Sequence, residues 1–263
     1  MNSCYWNHTT DDAKTYGCLD GKSRVCARCC VENCAAETPA WFARCAEAGH
    51  PTWPAVKSGQ GTPAKLVCLE SYWNRELFRT TSVKPFFEAL STLIRPRLQL
   101  AHRFVESERG LSYYARYPDG LLWQLSESWN APIYYLAFHG ACGSVKSILD
   151  SIGSEILMET FRDYGRCGYN NLIYFAACSV LHGSAGKQFA HEFLRATGSR
   201  AVIGYTTEVD WMHSLITDML FLQRFYSHDS PWKNLSRIFD SVLKDYRPAK
   251  ALGYTLVEPK DIK

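Results

Sequence analysis

The chain has 263 residues, 46% of them hydrophobic and 21% charged, with Lys plus Arg at 29 against Asp plus Glu at 26. That composition suits one large or two small globular domains and excludes a collagenous, coiled-coil or wholly disordered chain. A net charge of +3 is too small to point to nucleic acid, no apolar run approaches the ~18 residues of a membrane span, and the N-terminus lacks the basic-then-apolar order of a secretory signal, so a cytoplasmic protein without nucleic-acid or membrane partners is expected.

Residues 1–64 differ from the rest. They hold seven of the chain's 11 cysteines (Cys4, Cys18, Cys26, Cys29, Cys30, Cys34 and Cys45) but only Leu19, Val25, Val31 and Val56 as branched aliphatics. So few cannot build a core that offsets ordering entropy. The segment ends in the breaker-rich run HPTWPAVKSGQGTPA. Three readings are open. It is a disordered leader, or one that belongs to an upstream start chosen too early. It is a small zinc module, in which the Cys26-x-x-Cys29 spacing is completed by Cys34 and Cys45, or by His8 or His50. Or it is a disulfide knot, which needs an oxidising compartment.

From residue 65 the texture changes to alternating strand and helix patterns. Lys65–Glu70 (KLVCLE) predicts a first strand. Val83–Ile94 has helical spacing, with Ser82 as its N-cap and Pro85 tolerated in the first turn. Gln99–Val105 predicts a second strand, and short helical pieces follow around Ser107–Tyr114 and Leu121–Trp129. Pro132–Phe138 (PIYYLAF) and Asn171–Ala177 (NLIYFAA) are near-continuous apolar runs of the kind buried on both faces of a sheet. Ile156–Tyr164, between them, reads as helix. Gly186–Thr197 presents a helical apolar face and Gly198 is a fitting stop. Arg200–Tyr205 predicts a strand, and Trp211–Tyr226 a long helix with Leu215, Met219, Leu222 and Phe225 on one side. Leu235–Tyr246 reads as helix and Leu252–Val257 closes as a strand. Strands separated by helices predict an α/β three-layer sandwich with a mainly parallel sheet over residues 65–263. No G-x-G-x-x-G follows the first strand and no phosphate-loop signature occurs, so nucleotide binding has no motif behind it.

In open α/β sheets, function gathers at the carboxyl ends of the strands. Two consecutive buried strands end in reactive residues: PIYYLAF runs into His139-Gly140 and NLIYFAA into Cys178-Ser179. If these strands are neighbours, an imidazole faces a thiol across one strand spacing of roughly 5 Å. A nucleophilic cysteine needs that arrangement. Gly140 lets the backbone approach closely, and the amides of Gly140 and Cys178 suit an oxyanion hole. The bland alternatives are a core histidine and an inert buried thiol. Cys142, in the loop ACGS, is a rival nucleophile, and His182 a second base or pocket wall. Cys68, Cys167, His102, His191 and His213 read as structural or surface residues, and Phe138, Tyr205 and Trp211 as core or cleft lining.

AFHG at 137–140, FAACSVLHG at 175–183, QFAHEFLRATGSRAVIGY at 188–205 and EVDW at 208–211 resemble the caspase-like cysteine peptidases, and more closely their CHAT branch. The resemblance implies a caspase–haemoglobinase fold over roughly residues 65–257. His139 would be the base and Cys178 the nucleophile, acting on protein or peptide substrates without a metal or organic cofactor. The caspase Q-A-C-x-G pattern is not matched. The element at 206–211 would lie beside the specificity pocket. Glu208 and Asp210, with Trp211, then suggest a pocket for a basic side chain, although Asp210 also suits the N-cap of the helix from Trp211. Two alternatives to a peptidase remain: a catalytically inactive interaction or signalling module on the same fold, and another α/β hydrolase, which the missing G-x-S-x-G elbow disfavours.

Overall fold

The structure is a computed structural model that describes residues 65–73, 81–94, 98–116, 120–124, 132–162, 164 and 171–259, with two short antiparallel strands before them, β1 (Thr15–Gly17) and β2 (Arg24–Cys26). Cys29, Cys34 and Cys45, like His8, His50 and Cys167, lie outside the described residues. Of Cys26 only the backbone, in β2, is described.

The apolar runs become a six-stranded sheet. Its members are β3 (Lys65–Glu70), β4 (Gln99–Phe104), β5 (Ile133–Ala137), β9 (Leu172–Ala176), β10 (Ala201–Tyr205) and β11 (Tyr254–Val257), in the order β11-β10-β9-β5-β3-β4. All neighbours are parallel except β10 and β11. Every residue of β5, β9 and β10 is buried, because strand alternation sends successive side chains into two cores. One core takes Leu66, Cys68, Tyr135 and Tyr174 together with Phe87, Leu222 and Phe239. These last three lie on α1 (Lys84–Leu93), α6 (Trp211–Ser227) and α7 (Leu235–Asp245). The other core takes Val67, Leu69, Tyr134 and Ile173 with Leu111, Leu157 and Phe193. These lie on α2 (Glu108–Ala115), α4 (Ser154–Thr160) and α5 (Gly183–Thr197). Helices therefore cover both faces, as the alternation of strand and helix predicts. Two shorter helices, α3 (Leu121–Gln124) and α8 (Arg247–Ala251), complete the α-helices among the described residues, and a 3-10 turn, Pro231–Asn234, leads into α7. No helix there is long and apolar enough to cross a membrane.

Several local expectations change. A small antiparallel sheet, β6 (His139–Ala141), β7 (Ser144–Lys146) and β8 (Ser151–Ile152), follows β5, and the ACGS loop is its first turn, with Cys142 and Gly143 between β6 and β7. Strands this short carry too little alternation to show in sequence. Ser82 is not the N-cap of α1: that position belongs to Val83, and Ser82 Oγ donates instead to Glu70 at 2.7 Å. The Ser82 hydroxyl still serves the first turn, accepting the Lys84 N–H at 3.1 Å, and the Glu70 carboxylate takes the Val83 N–H at 2.9 Å, which adds an anion at the helix start. On α6, Met219 packs half-buried against the core as expected, but Asp218 is also fully buried, which the apolar pattern does not predict. The last strand starts at Tyr254, after a turn in which Gly253 has φ +64; a Cβ there would meet Thr206 Oγ1 at 1.9 Å. Gly198 ends α5 as expected, in the left-handed conformation with its N–H on Leu194 O.

Candidate active site

The central strands β3, β5 and β9 are in register through one row: Glu70 pairs with Ala137, and Ala137 with Ala176. Two residues beyond that row, at the carboxyl edge, the chain reaches Tyr72, His139 and Cys178. The predicted adjacency of the His and Cys strands is therefore met, with the two residues at equivalent positions on neighbouring strands. His139 is exposed and Cys178 half-buried.

Gly140 fixes how close the two strand ends come. A Cβ on Gly140 would lie 2.2 Å from Cys178 O, 2.9 Å from Cys178 N and 2.9 Å from the Ala177 Cβ. Only the missing side chain lets β6 sit against the peptide of Cys178. Past the thiol the backbone turns sharply. Ser179 has φ 54, the one non-glycine residue with positive φ among the described residues. Such strain persists only where surrounding contacts hold it. The end of β10 and the loop after it supply them: the Leu181 N–H donates to Tyr205 O at 3.1 Å, and the Ser179 N–H to Thr207 O at 2.9 Å. The same loop aims the Val209 N–H at Cys178 Sγ, 3.5 Å away.

The His139 ring is held from the other side. Its Nε2 lies 2.9 Å from the carbonyl oxygen of Trp73, and the two rings meet edge to face at 5.3 Å. A carbonyl only accepts, so Nε2 carries the proton and Nδ1 is the unprotonated nitrogen of the neutral ring. Trp73 is absent from the sequence-derived site. It follows a predicted strand end by three residues, which was the available signal, but nothing there marks a backbone carbonyl as a partner.

The other expected residues separate. Cys142 is exposed in the β6–β7 turn and its thiol contacts His182 O at 3.4 Å. His182 ties the same region together through Nδ1, which is 2.8 Å from Thr206 O. Cys68 is buried, and burial, followed by the nearby Glu70 charge, pushes its thiol well above the usual range, so it is no competing nucleophile. Phe138 and Tyr205 are core residues. Trp211 is half-buried against Phe86, ring centroids 5.6 Å apart, with its indole N–H unpartnered. Asp210 caps α6, accepting the His213 N–H at 2.9 Å, whereas Glu208 is exposed. Replacing Asp210 with alanine is therefore expected to lower stability by about 1 kcal/mol, with serine restoring most of it. Thermal denaturation of both variants checks this. Among the described residues no group of His, Cys, Asp and Glu is arranged to hold a metal ion.

No family model matches this chain, and no curated protein does.

Proposed function

We propose that the chain is a cysteine endopeptidase of the caspase/CHAT kind, with His139 and Cys178 as its dyad. The observation that carries this reading is the packing of Gly140, next to His139, onto the Cys178 peptide at the carboxyl edge of the sheet. A mainly parallel sheet covered by helices on both faces also fits what the sequence resemblance implies.

The chemistry follows from the protonation state of the ring. His139 Nδ1, unprotonated while Nε2 donates to Trp73, takes the proton of the Cys178 thiol. The Val209 N–H places partial positive charge beside the sulfur as it becomes negative. The sulfur attacks the scissile carbonyl carbon, and the oxygen gains charge beside the amides of Gly140 and Cys178. Among the described residues, no backbone carbonyl takes the Cys178 N–H. Collapse breaks the C–N bond, His139 returns the proton to the leaving amine, and water then hydrolyses the thioester. A preference for a basic side chain rests on Glu208, since Asp210 is engaged as a cap.

Hydrolysis of an unstructured protein substrate tests this. Wild type is expected to cleave it, with Cys178→Ala and His139→Ala each losing on the order of 1000-fold or more. Folded wild type with no cleavage beyond that of Cys178→Ala would favour a non-catalytic interaction module.

A further inference from the structure

We infer that Glu70 is a positioning residue that fixes the orientation of His139 through Trp73. The inference rests on the dyad reading above. Glu70 is the last residue of β3 and is 0% exposed. A carboxylate in that position has to be compensated by hydrogen bonds, and four groups reach it. Oε1 accepts the Trp73 indole N–H at 2.8 Å and the Val83 N–H at 2.9 Å. Oε2 accepts the Ser82 hydroxyl at 2.7 Å and lies 2.6 Å from His102 Nε2. His102, read from sequence as structural or surface, is thus part of this cluster.

The four contacts differ in what they hold. Ser82 and Val83 immediately precede α1, with Val83 as its N-cap, and His102 belongs to β4. They lock the carboxylate to rigid elements. The fourth contact grips Trp73 by its side chain, and Trp73 in turn holds His139 by its backbone carbonyl. Ser71 N donates to Ala137 O at 2.8 Å, so the segment leaving β3 is pinned at its start as well. Between that pin and the indole grip, the Trp73 carbonyl has one position, and it is the position that keeps the proton of His139 on Nε2. Glu70 contacts neither His139 nor Cys178 in this arrangement, so it acts through Trp73 alone. The indole is therefore the point at which the link can be cut without removing any group from the dyad.

The test compares Trp73→Phe, Glu70→Ala and Glu70→Gln with wild type, reading kcat and KM on a peptide substrate and the His139 tautomer by nitrogen NMR. Trp73→Phe removes the indole N–H and keeps the carbonyl. It is expected to lower kcat by roughly 10- to 100-fold at nearly constant KM, and to let the His139 ring populate both tautomers. Glu70→Ala is expected to do the same where it folds, and Glu70→Gln, which keeps an oxygen for the indole, to retain most of the activity. A folded Trp73→Phe variant with wild-type kcat and His139 still held as the Nε2–H tautomer overturns the inference, whether or not Glu70→Ala folds. Failure of the dyad itself shows separately: wild type would then be indifferent to His139→Ala.

Discussion

Gly140→Ala is expected to reduce peptidase activity by at least 100-fold while leaving a folded protein. The new methyl carbon would need to sit 2.2 Å from Cys178 O, with Cys178 N and the Ala177 Cβ each at 2.9 Å. Two of these three obstacles are backbone atoms, which cannot swing away as a side chain would. Relief requires β6 to separate from the Cys178 turn by roughly 1 Å, and a displacement of that size at reacting groups costs on the order of 100-fold. Overpacking of this kind also destabilises by about 1–3 kcal/mol. Gly183→Ala is the matched control. Gly183 has φ +63 but nothing within 4 Å of its absent Cβ, so alanine there costs about 1 kcal/mol of backbone strain and leaves activity in place. Steady-state kinetics with urea denaturation of both variants separates the two effects.

The second large effect is on stability. Asp218 of α6 is buried against the sheet, where the hydroxyls of Tyr135, Tyr174 and Tyr205 donate to its carboxylate. Tyr254 extends the cluster: its hydroxyl lies 2.9 Å from that of Tyr174, which has given its one proton to Asp218 and so accepts from Tyr254. Burial raises the Asp218 pKa from 3.8 to about 6, even though the three tyrosine hydrogen bonds pull it down. A folded-state value above the unfolded one means that the native state holds the extra proton. The resulting stability is fully present below about pH 4 and is lost as pH rises through about 6. The full swing is roughly 3 kcal/mol. Unfolding free energies measured from about pH 4 to 8 are expected to fall with this profile in wild type. In Asp218→Asn, which has no charge to bury, the component should vanish. A wild-type-minus-variant difference that is flat, or that rises with pH, contradicts the assignment.

Much of this site is legible in the sequence because burial on both faces forces continuous apolar strands. PIYYLAF and NLIYFAA announce themselves, and the residues that end them are the ones at the sheet edge. Their adjacency also follows from chain order, since consecutive strands joined by a helical crossover commonly pair. What could not be read depends on partners far apart in sequence. Glu70 looks like the polar end of KLVCLE, yet its four contacts come from residues 73, 82, 83 and 102. Asp218 does leave a trace in the sequence. Leu215, Asp218, Leu222 and Phe225 follow helical spacing, so the acid lies on the apolar face. Each of β5, β9, β10 and β11 carries a tyrosine that can reach that face. The weighing of Asp210 between cap and pocket turns on three-dimensional geometry: the His213 N–H decides it for the cap, while Glu208, two residues earlier, stays exposed.

The central claim is that His139 makes the Cys178 thiol reactive, and the most direct test is the alkylation rate of each thiol across pH, read by peptide mass spectrometry. In wild type, Cys178 is expected to react with iodoacetamide faster than the more exposed Cys142 at neutral pH. In His139→Ala it should slow to the rate of an ordinary thiol, while Cys142 is unchanged. Equal rates for Cys178 and Cys142 in wild type, or a Cys178 rate indifferent to His139, would contradict the dyad.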